Sequence, residues 1–178
     1  KQTGTIPALL PEPTFQKPVK QQMPEEMSKY AGLYGMVGET RELKIQNGKI
    51  DMPAMMSDLI PAQAYVYTGK GEFTSADGRT ILAFDEQTNG HTYLRVRSDI
   101  ELPGIGNSRM AFYEMQKLPS HSVDASVAAS WKARDGKSYY ALDEKINSFF
   151  YISPSILTKT IKLDTSGGYA NGTEIVDR

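Results

Sequence analysis

Apolar and polar residues alternate in two neighbouring segments of the chain, residues 43–46 and 49–52. An alternation with a period of two gives a β-strand one face for a core and one face for water. Asn47-Gly48 joins the two segments, and both central residues of a type I′ turn need a positive φ, which Asn and Gly tolerate. The pattern therefore predicts a β-hairpin with these residues facing the core: Leu43, Ile45, Ile50 and Met52.

Strand-like segments recur from Tyr34 to Leu118 at intervals of roughly 8 to 12 residues, a spacing typical of an all-β barrel or sandwich. The breaks between them contain turn-forming residues, as in Gly69-Lys70-Gly71 and Thr88-Asn89-Gly90. Because short turns join consecutive strands, the pattern favours an antiparallel up-and-down barrel of about eight strands. The predicted strands are Leu33–Val37, Glu42–Gln46, Lys49–Met52, Ala62–Thr68, Glu72–Thr74, Thr80–Asp85, His91–Arg97 and Arg109–Leu118.

Two shorter segments beside these strands have helical or irregular patterns. Residues 24–32 begin with Pro24 and two acidic residues and end with Gly32, which predicts one or two helical turns leading into the barrel. Residues 55–61 fit either a helical turn or a loop that closes one mouth of the barrel.

The N-terminal 24 residues contain five of the ten prolines and few large apolar residues. Such a composition predicts an extended, semi-rigid linker between domains. The alternative is an arm that packs along the barrel through Phe15.

A smaller β unit is predicted after the barrel, from residue 119 to residue 178. Residues 120–129 are small and polar and mark the boundary, and Trp131–Arg134 is predicted to form a hairpin with Lys137–Leu142 about Asp135-Gly136. Further strands are expected at Ser148–Ile152, Thr160–Leu163 and Thr173–Val176. Because these few strands cannot close a barrel of their own, we expect the extension to pack on residues 25–118 and to bury Trp131.

Composition narrows the possible partners. The chain has 178 residues, a net charge of −1 and no cysteine, and no apolar run approaches the roughly 20 residues of a membrane helix. We therefore expect no nucleic-acid partner, no membrane span and no disulfide. The first residue is Lys1, so we expect a mature or excised piece whose targeting signal lies outside it.

No nucleophile or metal motif is present in the sequence. No serine has a lysine three positions later, Gly-x-Ser-x-Gly is missing, and neither His91 nor His121 has a second ligand at metal-binding spacing. A glycosidase needs two facing carboxylates, for which Asp85-Glu86 and Asp143-Glu144 are the adjacent candidates, with solvated turn residues as the simpler interpretation. The sequence predicts no catalytic residue, metal ligand or cofactor.

Two sets of side chains are candidates for binding. Tyrosines interleaved with Arg95, Arg97 and Arg109 could stack sugars or bases, or could simply fill half-buried strand positions. A barrel of eight strands is filled by its side chains or holds one small ligand. The candidate lining residues of such a cavity are Ile45, Ile50, Tyr67 and Phe84.

A resemblance to a known family rests on several of these motifs. They are Glu25 or Glu26 followed by Lys29-Tyr30-Ala31-Gly32-Leu33-Tyr34, a Leu-x-Ile strand, the Asn-Gly hairpin, Phe84, and Phe112-Tyr113-Glu114. This pattern, over about residues 24 to 118, resembles the lipocalin-like barrel module that follows the catalytic domain in exported serine hydrolases of the β-lactamase and penicillin-binding protein type. True lipocalins have Gly-x-Trp near the first strand, where this chain has Gly32-Leu33-Tyr34, a difference that argues against the transport role of soluble lipocalins.

The resemblance implies a non-catalytic accessory domain, binding or structural, of a bacterial hydrolase at the cell envelope or outside the cell. Its partner would be the catalytic domain of the same polypeptide, which carries the family's catalytic residues, and a cell-wall component or small apolar ligand is a further candidate. The alternative functions are a free-standing carrier of a small apolar ligand and, third, an enzyme in its own right.

Overall fold

The computed structural model describes residues 15–36, 38–55, 59–102, 104–140, 158–164 and 167–177. Its main feature is an antiparallel sheet of nine strands in the order β2-β1-β9-β8-β7-β6-β5-β4-β3. The strands are β1 Gly32–Met36, β2 Glu39–Leu43, β3 Ile45–Gln46, β4 Lys49–Met52, β5 Gln63–Gly69, β6 Glu72–Ser75, β7 Thr80–Glu86, β8 Thr92–Leu102 and β9 Gly106–Lys117.

The sheet curls into a nearly closed barrel because its two edge strands are halves of one bent strand. Only Lys44 separates β2, which pairs with β1, from β3, which pairs with β4. The last strand, β9, returns to β1, where Tyr34 pairs with Lys117 and Gly35 with Gln116. Counting β2 and β3 as one strand, eight strands follow each other around the barrel, so the predicted up-and-down barrel is confirmed.

The Asn47-Gly48 turn sets the register of the first predicted hairpin. Both residues have positive φ, 52° and 70°, as a type I′ turn requires. Ile45 therefore pairs with Ile50 across the turn. Of the four apolar positions in this hairpin, Leu43, Ile50 and Met52 are buried and Ile45 is partly buried against the core.

A 3-10 helix, Glu25–Tyr30, closes one end of the barrel, where one or two helical turns were predicted. Met27 is buried in the core, and the Tyr30 ring stacks on Phe84 with a centroid distance of 4.6 Å and an interplanar angle of 4°. The Tyr34 hydroxyl, inside the barrel, donates to the Tyr30 carbonyl at 2.8 Å. We call this the closed end.

The described part of the predicted linker, residues 15–24, runs along the barrel as an arm. The backbone N–H of Gln21 donates to the Tyr67 carbonyl at 2.9 Å, and the Arg79 guanidinium lies 5.1 Å from the Phe15 ring centre. Gly78 allows this close approach, because a Cβ there would lie less than 3.0 Å from the Gln16 carbonyl oxygen. These contacts are those of a packed arm; residues 1–14 lie outside the described residues.

The hairpin predicted about Asp135-Gly136 is wrong. The segment before it is helix α1, Ala125–Lys132, with Asp124 at the N-cap position. Alanine has the highest helix propensity, and three alanines among eight residues favour a helix over the connector and strand that were predicted. Trp131, in this helix, is only partly buried, and its Nε1 donates to the Asp177 carbonyl at 2.6 Å.

The strand after this turn pairs with a distant part of the chain. Strand β10, Ser138–Tyr140, pairs with β11, Thr158–Thr160. The strand predicted at Thr160–Leu163 is displaced, because β11 ends at Thr160. Leu163 itself forms only an isolated bridge to Ala170. The predicted strand Ser148–Ile152 and the acidic pair Asp143-Glu144 lie outside the described residues.

A second Asn-Gly hairpin brings the C-terminal region onto the barrel. Strands β12, Tyr169–Ala170, and β13, Thr173–Glu174, pair about Asn171-Gly172, whose φ values are 49° and 78°. The Gly38 amide, in the β1–β2 turn, donates to the Asn171 carbonyl at 3.1 Å. The extension thus touches the barrel beside this turn, while its cooperative folding with the barrel stays a prediction.

Candidate functional site

The end of the barrel opposite the 3-10 helix has an opening in its wall. Strand β9 is 12 residues long, yet it pairs with β1 only near its C-terminal end, because β1 has five residues and stops at Met36. A cavity of about 450 Å³ lies in this opening, which we call the mouth cavity. Its apolar lining includes Met36, Met55 and Phe112, and its charged lining consists of Glu39, Arg41 and Glu114.

Arg41 points into the barrel, because it pairs with the buried Tyr34 and lies two positions before the buried Leu43. Its side chain is only 13% exposed, and Nη2 donates to Glu39 Oε1 at 2.7 Å. The other terminal nitrogen, Nη1, is buried and has no hydrogen-bond partner among the described residues. A buried donor without an acceptor costs roughly 1 to 3 kcal/mol or more when it is charged, so this nitrogen is a strong point of attraction for an acceptor.

Glu114 lines the same cavity at a β-bulge in β9. Leu94 pairs with Met115 and Arg95 pairs with Tyr113, so Glu114 is the extra residue of β9. Glu114 has the same parity in β9 as Met110 and Phe112, which pack against the core, and it adds a carboxylate to the cavity lining. The bulge places the next residue, Met115, on the inner face as well. Burial raises the pKa of Glu114, the charge of Arg41 lowers it in part, and the charge of Glu39 raises it further.

Replacing Glu114 by Gln should stabilise the protein at neutral pH but not in acid. A carboxyl whose native pKa is raised holds its proton more tightly in the folded state, so its ionisation destabilises the fold as pH rises through that pKa. Below pH 4.5, the ordinary pKa of a glutamate, the carboxyl is protonated in both the folded and the unfolded state, so it no longer destabilises the fold. Urea midpoints at pH 4 and pH 7 measure the difference.

Glu101→Gln is the matched control for this experiment, because Glu101 is exposed at the mouth end of β8. The gain of Glu114→Gln over this control should grow between pH 4 and pH 7. A gain that is the same at both pH values would contradict the assigned burial of the carboxyl.

The predicted cavity-lining residues lie deeper than the mouth. Ile50 and Tyr67 are buried in the core, and Ile45 and Phe84 are partly buried against it. None of the four is among the residues that line the mouth cavity. Whether they face a ligand stays a prediction, and sequence analysis missed the charged residues of the mouth.

Two of these missed residues, Arg41 and Glu114, had a readable signal. Arg41 has the inward parity of Leu43 within β2, so the alternation marks it as a charge on the core side. Glu114 likewise has the inward parity of Met110 and Phe112 within β9, and the bulge breaks that alternation only after it, at Met115.

The tyrosines and arginines of the outer wall are engaged with neighbouring side chains. Arg97 pairs with Glu72, and Arg109 Nε lies 3.0 Å from Asp99 Oδ1. Arg95 Nε lies 2.9 Å from Asp85 Oδ2, close enough for an ion pair, although its N–H is not aligned for a hydrogen bond. The Tyr113 hydroxyl also donates to Asp85 at 3.1 Å, which raises the pKa of Tyr113. These are cross-strand contacts typical of a solvated sheet face, each worth little energy, and the stacking of sugars or bases stays a prediction.

The acidic pair Asp85-Glu86 is also occupied by local partners. Glu86 Oε1 lies 2.6 Å from Lys29 Nζ at the closed end, and this hydrogen bond lowers the pKa of the carboxyl. Asp85 faces Arg95 and Tyr113 on the outer wall. The two carboxylates therefore have separate partners instead of facing one cleft.

Neither the described part of the chain nor comparison with known proteins adds a further site. Among the described residues no three or more acidic, histidine or cysteine side chains are grouped so that they could hold a metal ion. No helix among those residues is long and apolar enough to cross a membrane. Comparison of the chain with protein-family models, with curated proteins and with solved structures finds no match.

Proposed function

We propose that this chain is a non-catalytic accessory domain of a serine hydrolase of the penicillin-binding protein or β-lactamase type, acting at the cell envelope. The observation that carries the proposal is the position, in the barrel, of the residues on which the family resemblance rests. Tyr30 and Tyr34 belong to one motif and Phe84 to another that is distant along the chain. In the fold, Phe84 lies 4.6 Å from the Tyr30 ring and 6.0 Å from the Tyr34 ring. The motifs thus build one feature, the closed end of the barrel.

The packed arm supports a role beside a catalytic domain. The arm is bonded to β5 through Gln21 and is held near the β6–β7 turn by Phe15 and Gly78. A domain joined through residues 1–14 would therefore enter beside this turn and would have limited freedom relative to the barrel. Such a module would position its catalytic domain or bind a ligand for it.

The gene sequence upstream of Lys1 tests this proposal. We expect it to encode a domain with a Ser-x-x-Lys nucleophile motif. In the parent protein, a fluorescent penicillin should acylate a variant that lacks residues 25–178, whereas the isolated chain should not be labelled. An upstream region without that motif, or labelling of the isolated chain, would overturn the assignment.

The mouth cavity favours a second candidate function, a carrier of a small apolar ligand. Its volume of about 450 Å³ lies within the roughly 300 to 1,000 Å³ of small-molecule sites, and Met36, Met55 and Phe112 form an apolar part of its lining. A ligand that binds only the folded state raises the melting temperature by mass action.

An apolar fluorescent dye tests the carrier function. The dye should raise the melting temperature of the unaltered protein but not that of Phe112→Asp. Ile105→Asp is the matched control, because Ile105 is 80% exposed and lies outside the cavity. An equal shift in all three proteins would place the dye elsewhere and count against the carrier.

A further inference from the structure

We infer that the mouth cavity binds an amino-acid-like zwitterion, a small molecule with a carboxylate, an ammonium group and an apolar side chain. This inference deepens the carrier function, and it rests on the proposal that the barrel binds a small molecule at its mouth. Its basis is that two oppositely charged groups, Arg41 and Glu114, line one cavity. Arg41 Nη1 is buried without a hydrogen-bond partner, and Glu114 makes no hydrogen bond or ion pair with any described residue.

The carboxylate of the ligand would bind Arg41. A guanidinium has donors on three nitrogens, and Nη2 of Arg41 is already bonded to Glu39. Nη1 is buried without an acceptor among the described residues, although the side chain lines the cavity. A carboxylate oxygen is the acceptor that a guanidinium binds most strongly, because both partners are charged.

The ammonium group of the ligand would bind Glu114. This carboxylate makes no hydrogen bond and no ion pair with any described residue, in contrast to Glu39, which holds Arg41. Carboxylates only accept hydrogen bonds, so the missing partner is a donor. Glu114, two positions after Phe112 in the same cavity lining, thus supplies a second polar anchor opposite in sign to the first.

Charge balance decides between a zwitterion and a ligand with one charge. Glu39, Arg41 and Glu114 together have a net charge of −1 when all are ionised. A ligand with only a carboxylate would meet Arg41 but be repelled by Glu114, and a ligand with only an ammonium group would leave Arg41 Nη1 unpaired. A ligand with both groups satisfies both anchors without adding net charge.

The rest of the cavity suits an apolar side chain of moderate size. Met55 is only 2% exposed, Phe112 is partly buried against the core, and Met36 stands at the rim with 40% of its surface exposed. Methionine adapts its shape to a ligand, and an aromatic ring offers a flat contact surface. An aromatic amino acid such as phenylalanine therefore serves as the probe.

Calorimetric titration of the full 178-residue chain with three compounds tests the inference. The compounds are phenylalanine, as each enantiomer, phenethylamine, which lacks the carboxylate, and 3-phenylpropionate, which lacks the ammonium group. At least one enantiomer should bind about tenfold or more tightly than either singly charged compound, since a charged hydrogen bond contributes roughly 1.5 to 3 kcal/mol.

Two substitutions assign the anchors. Arg41→Met should remove the preference for phenylalanine over phenethylamine, and Glu114→Gln should remove the preference over 3-phenylpropionate. Arg109→Met and Glu101→Gln are matched controls that should keep both preferences, because these exposed side chains lie outside the cavity. If Arg41→Met does not fold, Arg41→Lys and the independent Glu114→Gln result still decide the question.

The possible results distinguish this inference from the carrier function and from the accessory-domain assignment. Equal affinity for all three compounds would overturn the zwitterion and leave a carrier that recognises only the apolar group. A failure of every compound to bind at millimolar concentration would overturn the zwitterion, and the dye experiment would decide separately whether the carrier function stands. Neither outcome bears on the accessory-domain assignment, which the upstream gene sequence tests.

Discussion

Gly172→Ala is expected to separate the C-terminal hairpin from the barrel. Gly172 has a φ of +78°, and a Cβ there would lie less than 3.0 Å from the carbonyl oxygens of both Met36 and Glu39. Backbone atoms of the β1–β2 region cannot move aside like a flexible side chain, so the hairpin must move away. The Gly38 amide would then lose its bond to the Asn171 carbonyl, and its hydrogen exchange should accelerate.

Gly167→Ala provides a matched control for this experiment. Gly167 has a nearly equal φ of +74°, but a Cβ there meets nothing within 4 Å. It should carry only the backbone cost of a left-handed alanine, roughly 1 to 2 kcal/mol, and leave Gly38 protected. Equal protection of the Gly38 amide in both variants would show that the hairpin docks through contacts other than Gly172.

Gly48→Val should destabilise the barrel by on the order of 1 to 3 kcal/mol, because it forces a β-branched residue to a φ of +70°. A Cβ there is not itself crowded, since the nearest atoms are 3.6 Å or more away, so the strain begins in the backbone. The Gly48 carbonyl also accepts a hydrogen bond from the Tyr67 amide at 2.9 Å, so strain in the turn reaches β5. Urea unfolding of the intact chain measures the change.

Gly48→Asn is the control for the conformational argument. Asn tolerates the left-handed region much better than Val, so this variant should retain most of the stability that Gly48→Val loses. Equal losses in both variants would mean that the turn tolerates no side chain at all, and no loss in either would contradict the type I′ geometry.

The alternation of apolar and polar residues was enough to predict the barrel. Strand faces depend on a local property, the opposite direction of successive side chains, so Leu43, Ile50 and Met52 could be assigned to the core from sequence alone. Asn47-Gly48 was equally readable, because the positive φ of a type I′ turn is a property of the residues themselves. The same dipeptide at Asn171-Gly172 shows that this signal could have located the docking hairpin as well.

The errors fall where local signals compete or pairing is distant. The small residues of 125–132 suggested a connector, but the alanines among them have a high helix propensity, and the segment forms a helix. Strand β10 pairs with β11, not with the segment before Asp135-Gly136. Such a choice of partner depends on the total energy of the fold, not on the strand's own residues.

Within the barrel, the sequence by itself determined the strands, most of their core-facing residues and the turns that join them, because each depends on residues only a few positions apart. The tertiary structure alone decided the closure of the barrel through the bent strand of β2 and β3, the bulge at Glu114 and the meeting of Glu114 with Arg41. These two residues are far apart in the chain, and no local rule joins them. They share a cavity because strand pairing around a closed barrel brings β9 next to β1 and β2.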